Sequence, residues 1–178
     1  MKREVYENQV KKALEYYAKA GIILTDAEKK NIEVVDFELG IVDDVGLQLL
    51  TYINTQRVCA KEMVLTPFQT CPEHKHVPTN GMEGKEETFR CRYGKVYLYV
   101  PGEGRKEDIK ARIPGTKVSI FHEIVLNPGD QYTLMPETWH WFQAGEEGAV
   151  ISEFSTRSTD ETDVFTDERL VREPNIED

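Results

Sequence analysis

Positive charge is in short supply in this chain, with 22 Lys and Arg against 32 Asp and Glu and a net charge of −10. That balance argues against a nucleic-acid partner or an anionic membrane, because both need a cationic face. Cysteine is scarce as well. Cys59, Cys71 and Cys91 are odd in number and form no CxxC pair, which excludes a disulfide framework and a four-cysteine zinc site. No apolar run approaches the roughly 18 residues of a membrane span. Residues 1–17 are charged throughout and lack the apolar stretch of a secretory signal, so a cytoplasmic protein is expected. Internal repeats and low-complexity tracts are missing too. What is present suits one folded unit: 178 residues, 39% of them hydrophobic, the size and apolar content of a single core.

The chain changes character once. Over residues 3–19, Val5, Val10, Ala13, Leu14, Tyr17 and Ala18 recur mostly at three- and four-residue steps, which predicts an amphipathic helix with Gly21 as its stop. Thr25-Asp26-Ala27-Glu28 reads as a capping box opening a short second helix. After about residue 45 the helical period is lost. Short β-rich runs follow at 47–53, 58–66, 88–93, 95–100, 119–126, 131–135 and 149–156, separated by turn formers. Many short strands between regular turns predict a sandwich or barrel. Beyond Thr156 the chain is acidic, with Asp160, Glu161, Asp163, Asp167 and Glu168, and reads as a loop covering an edge or mouth. The expected organisation is a helical arm over 1–44, a β-barrel over 45–156 and an acidic tail over 157–178 packed on the barrel.

Three of the four histidines fall in two informative settings. His74 and His76 sit two apart, so on an extended strand both imidazoles face the same way and can reach one cation. Eleven residues on, strand parity groups Glu87 with Phe89, Cys91 and Tyr93, and Glu86 with Thr88, Arg90 and Arg92. The first face is apolar and is expected to look inward, which selects Glu87 as a buried carboxylate needing a cation or strong donors beside it. The second setting runs from Asn127-Pro128-Gly129-Asp130 to Pro136 and His140, a turn, a strand and a Pro-bearing turn that leads into the next strand. Taken singly, an HxH pair is more often two surface histidines, and His140 between Trp139 and Trp141 suits a stacked core residue. In combination they are more specific.

HxH, Glu87, Gly94 and the G-x6-P-x3-H hairpin together resemble the two motifs of the cupin superfamily, whose fold is a small jelly-roll-like antiparallel β-barrel. The gap between HxH and the glutamate is longer than in the commonest cupin motif. With that gap, the helical arm, the Lys61-Glu62-Met63 strand, the run from Gln69 to His76, and Ser152-Glu153-Phe154-Ser155-Thr156 leading to Asp163, the chain is similar to the D-lyxose isomerases within that superfamily. The resemblance implies a mainly β, single cupin domain with a helical arm, and His74, His76, Glu87 and His140 as ligands of a divalent metal. It also implies a homodimer.

Three imidazoles and a carboxylate suit Mn, Fe, Co or Zn better than Mg or Ca, which favour all-oxygen shells; manganese is the expected ion. Two remaining positions of an octahedral ion match the carbonyl and adjacent hydroxyl of an open-chain sugar, so the expected activity is aldose–ketose isomerisation through an enediol. D-lyxose to D-xylulose is the expected reaction, with D-mannose to D-fructose beside it. The lack of a Gly-rich phosphate loop favours an unphosphorylated sugar. Two groups are candidates to handle protons: Lys61, on the face of Cys59, Met63 and Leu65, as a donor or as a base of lowered pKa; and Glu153, on the face of Ile151, as general base. Trp139, Trp141, Phe89 and Tyr93 are candidates to line the pocket. An Fe(II) dioxygenase and a non-catalytic sugar-binding cupin use the same metal quartet and stand as alternatives.

Overall fold

The computed structural model describes residues 1–173 and 175–177. Helix α1, Arg3–Lys19, forms where the apolar period predicts it, and Gly21 beyond its end takes the left-handed φ of 71° that stops it. Its buried face, Ala13, Tyr16 and Tyr17, packs on the outside of the sheet against Val64 and Val150. Helix α2, Asp26–Lys29, carries the full capping box between Thr25 and Glu28. The span expected as a helical arm also contributes a strand, β1, Glu33–Val35.

Eight further strands complete one antiparallel sheet: β2 Leu47–Asn54, β3 Cys59–Leu65, β4 Thr70–Lys75, β5 Glu87–Val100, β6 His122–Leu126, β7 Gln131–Leu134, β8 His140–Ser155 and β9 Val164–Phe165. The order is β1-β2-β3-β8-β4-β9, and β5 bonds to β6, β7 and β8. The long β8 pairs with β3 through its C-terminal half and with β4 through its start. That dual pairing curls the sheet around a core that includes Leu65, Phe89, Leu98, Phe142 and Ile151. The architecture is mainly β, a curled antiparallel sheet with an N-terminal helix, as the strand pattern predicts.

Three local differences from the sequence reading have physical causes. The runs 88–93 and 95–100 are one strand, β5, with register shifts between Cys91 and Tyr93 and between Gly94 and Val96. A bulge reverses the alternation of faces, so Tyr93 leaves the face of Glu87 and Phe89 and packs outside against Tyr16, ring centroids 6.0 Å apart. Residues 119–121 are not strand. The carboxylate of Glu73 accepts the backbone N–H groups of Ser119 and Ile120 (2.7 and 3.2 Å), which removes them from any ladder. The tail is more structured than a loop, with a 3-10 turn at Asp160–Thr162 and β9 paired to β4, His74 opposite Phe165.

Gly94 explains one sequence feature. Its φ is +72°, and a Cβ there would lie 1.9 Å from the carbonyl oxygen of Gly148 across the ladder. Gly94→Ala combines a left-handed alanine with a backbone clash and is expected to destabilise the fold by at least about 2 kcal/mol, read as a lower urea midpoint at unchanged slope. A midpoint equal to wild type would contradict this account of the bulge.

Candidate metal and proton-transfer site

β-Ladders bring the predicted residues together. In register, His74 on β4 lies opposite His140 on β8, and Lys61 on β3 lies opposite Glu153 on β8. His76 follows β4, and Glu87 opens β5. Ring centroids of the three histidines are 4.2–5.3 Å apart, and one ring nitrogen of each lies within 4.8 Å of the others. Glu87 Oε1 is 3.0 Å from His76 Nε2 and 3.1 Å from His140 Nε2. All four side chains are buried.

The hydrogen bonds on the far side of each ring decide what the near side offers. His74 Nδ1 lies 2.8 Å from the carbonyl of Pro72, and His140 Nδ1 lies 2.9 Å from that of Thr138. A carbonyl only accepts, so both Nδ1 atoms are protonated. A neutral ring of that tautomer presents its lone pair at Nε2. His76 Nδ1 meets Asp163 Oδ1 at 2.6 Å. A histidine whose outer nitrogen is tied to a carbonyl or carboxylate is the form that binds metals. His140 Nε2 is a buried nitrogen without a hydrogen-bond partner, its neighbour Glu87 being close but misaligned. Burial, with His140 and His76 adding, pushes the His74 pKa far down and keeps the ring neutral. His76 differs: burial and Lys85 oppose its charge, but Glu87 and Asp163 outweigh them and raise its pKa to about 9. A cation binding at its Nε2 therefore displaces a proton. The donor set of three imidazoles and one carboxylate fits a divalent transition ion.

Beside this cluster stands a buried charge network. Lys85 Nζ contacts Glu87 Oε2 at 2.8 Å and Glu153 Oε1 and Asp160 Oδ1 at 3.1 Å each. Lys61 donates to Ser158 Oγ at 2.8 Å and to Asp160, with Glu153 at 3.9 Å. Burial works against both ammonium groups. For Lys85, Asp160, Glu153 and Glu87 outweigh burial and hold the pKa well above the usual lysine value. For Lys61, Glu153 and Asp160 likewise prevail over burial and over Lys85, so its pKa rises. The direction of that shift favours Lys61 as a cationic donor over Lys61 as a base of lowered pKa. His76, Asp160 and Asp163 also come within mutual reach. Lys61, Lys85 and Arg172 already neutralise Asp160, which makes a second cation there electrostatically unfavourable.

Lys85 is absent from the sequence reading, although it sits two residues before Glu87 and the parity argument that selects Glu87 extends to it. Asp163 appears there as one of the acidic tail residues and as the end of a motif, with no role at the site. Of the four aromatic candidates, Phe89 alone lines this cavity. Trp141 is fully buried elsewhere, stacked on Tyr99 at 3.9 Å, and Trp139 packs under the Lys75 ammonium. Arg157, near Glu153 in sequence, bonds Gln56.

Comparison with known proteins finds relatives in sequence and in fold. The sequence model of a family described as D-lyxose isomerase matches residues 15–178. The D-lyxose/D-mannose isomerase of Thermosediminibacter oceani is 59% identical, with 99% of this chain and 98% of that protein covered. The D-lyxose ketol-isomerase of Cohnella laeviribosi is 57% identical over 92% of this chain and 91% of its own length. Among solved structures, the L-ribose isomerase of Cellulomonas parahominis superposes with a TM-score of 0.70 at 15% identity, covering 95% of this chain and 94% of that one. At that identity the likeness is one of fold.

Proposed function

The chain belongs to the D-lyxose isomerase family and is an aldose–ketose isomerase, and from that premise we propose that it interconverts D-lyxose and D-xylulose, with D-mannose and D-fructose as a second pair, using a divalent ion held by His74, His76, Glu87 and His140. The observation that carries the reading is that His74, His76 and Glu87 line one cavity with Lys61, Lys85 and Glu153, while His140, buried behind them, brings its Nε2 to within 3.1 Å of Glu87. Manganese is the expected ion, with Zn, Co or Fe able to take the same donors.

Held by His74, His76, Glu87 and His140, a divalent ion would supply Lewis acidity to polarise the carbonyl of the open-chain sugar. The chain's own groups do the rest. Glu153 takes the proton from C2. Charge then developing on the carbonyl oxygen faces the ammonium groups of Lys85 and Lys61, preorganised donors in a water-poor cavity. Once the hydroxyl proton has passed from O2 toward O1, Glu153 returns its proton to C1 and the ketose forms. No external redox partner is needed, because the carbon oxidised and the carbon reduced are neighbours in one molecule. Asp163 orients His76, and Glu87 bridges the ligand cluster to Lys85.

The reading extends to a homodimer in the cytoplasm. Tyr52, Ile53 and Phe154 leave exposed apolar groups on the outer sheet face, a surface suited to a second copy. A panel of free aldoses incubated with Mn2+, with and without oxygen, tests the activity. Ketose is expected from D-lyxose at the same rate in both atmospheres, and chelation with EDTA is expected to remove it until metal is restored. Oxygen uptake, or turnover unaffected by exhaustive chelation, would overturn the proposal.

A further inference from the structure

The cavity beside the histidines encloses only about 30 Å³, space for roughly two waters and far less than a five-carbon chain fills. Its wall joins the charged groups Lys61, Lys85, Glu153, Asp160, Asp163 and Arg172 to an apolar side of Phe37, Leu47, Met63, Phe142 and Phe165. An open-chain sugar bears oxygen on every carbon, and hydroxyls set against that apolar side would find no partner. A second cavity of about 240 Å³ adjoins the first and shares Leu49, Lys61, Asp160 and Arg172 with it. The rest of its lining is polar: Glu33, Thr51, Asn54, Ser158, Glu161 and Glu173.

The sheet register ties the two spaces together. Thr51 pairs with Lys61, and Lys61 pairs with Glu153. Directly opposed residues share a face, so one row runs from the proton-transfer carboxylate to the wall of the outer cavity. The opposite wall is the tail. Asn54 fixes its distance by donating to the carbonyl of Ser158 (3.0 Å) and accepting the Ser158 N–H (3.1 Å). Arg172 spans the junction, bonded to Glu33 at 2.5 Å and to Asp160 at 3.4 Å.

We propose that this outer cavity is the subsite for the hydroxyl-bearing far end of the aldose, with C1 and C2 on the histidine side and the Lys61–Asp160–Arg172 cluster between the two. The proposal rests on the isomerase reading above and adds to it where chain length is sensed. D-lyxose and D-mannose have the same configuration at C2, C3 and C4 and differ by one carbon at the far end. That extra carbon meets Thr51 from one wall and Glu161 from the other.

Both positions are exposed, so larger side chains can be placed there without disturbing the core. Thr51→Tyr and Glu161→Tyr are each expected to lower kcat/KM for D-mannose about tenfold or more relative to D-lyxose, the size of effect a single carbon has in a fitted pocket. Binding of erythritol, D-arabinitol and D-mannitol to the Mn2+-loaded protein supplies a readout independent of turnover. Wild-type affinity is expected to rise with chain length, and both variants are expected to flatten the rise. Equal losses for all lengths, or no change in either variant, would overturn the subsite. Length-dependent polyol binding by a wild-type protein that forms no ketose would instead uphold the subsite and overturn the isomerase assignment.

Discussion

His140→Ala is expected to yield a folded protein with no detectable isomerase activity and without its divalent ion. His140 is fully buried, its Nδ1 is committed to the carbonyl of Thr138, and its Nε2 has no hydrogen-bond partner. That placement leaves Nε2, with Glu87 Oε1 3.1 Å away, to serve as one of the four proposed metal donors, and alanine leaves three. Loss of activity alone would not separate this role from a packing role, so the decisive measurement is thermal. A ligand at about 100 times its dissociation constant stabilises the native state by about 2.7 kcal/mol, equivalent to roughly 5–10 °C in a chain of this size. Mn2+ is expected to raise the wild-type Tm by that amount and to leave the His140→Ala Tm unmoved. A packing role predicts a lower Tm with the Mn2+ increment intact. Full metal loading and full turnover in the variant would remove His140 from the site. The same loss is expected for His74, His76 and Glu87.

Much of this was legible in the sequence because it depends on short-range periodicity. The three- and four-residue steps before Gly21 give α1, and two-residue alternation gives both the shared face of His74 and His76 and the inward side of Glu87. Alternation also reaches Lys61 and Glu153, since β3 and the C-terminal half of β8 pair without a register shift. It fails where the backbone departs from strict alternation. The bulge after Cys91 turns Tyr93 to the outer face, a shift that no composition signal marks. Residues 119–121 have the apolar content of a strand, but a buried carboxylate from a distant segment, Glu73, competes for their N–H groups and wins. The tail was the least legible part. Asp160, Asp163 and Arg172 belong to the site through ion pairs that span up to 139 positions of sequence, and an acidic stretch read alone gives no sign of the lysines it will meet. Lys85 was within reach of the same parity argument that found Glu87.

Glu153→Gln is expected to lower kcat for D-lyxose by about 10²–10⁴-fold, the usual worth of a positioned general base, while leaving KM and bound metal nearly unchanged. The substitution keeps the shape of the side chain and an oxygen able to accept from Lys85, which lies 3.1 Å away, and from Ser155 Oγ at 3.0 Å. What it removes is the ability to hold a proton between C2 and C1. Replacing Lys85 would be less informative, since its ammonium also contacts Glu87 and Asp160 and its loss would remove one cation from three carboxylates at once. A labelled substrate adds a second readout. If Glu153 carries the proton, deuterium placed at C2 of D-lyxose should be divided between C1 of the ketose and water, because a carboxylate that is only 3% exposed exchanges its proton slowly but does exchange it. Complete retention at C1 would indicate direct hydride transfer between the carbons, and together with an unchanged kcat in Glu153→Gln it would take this residue out of the reaction path.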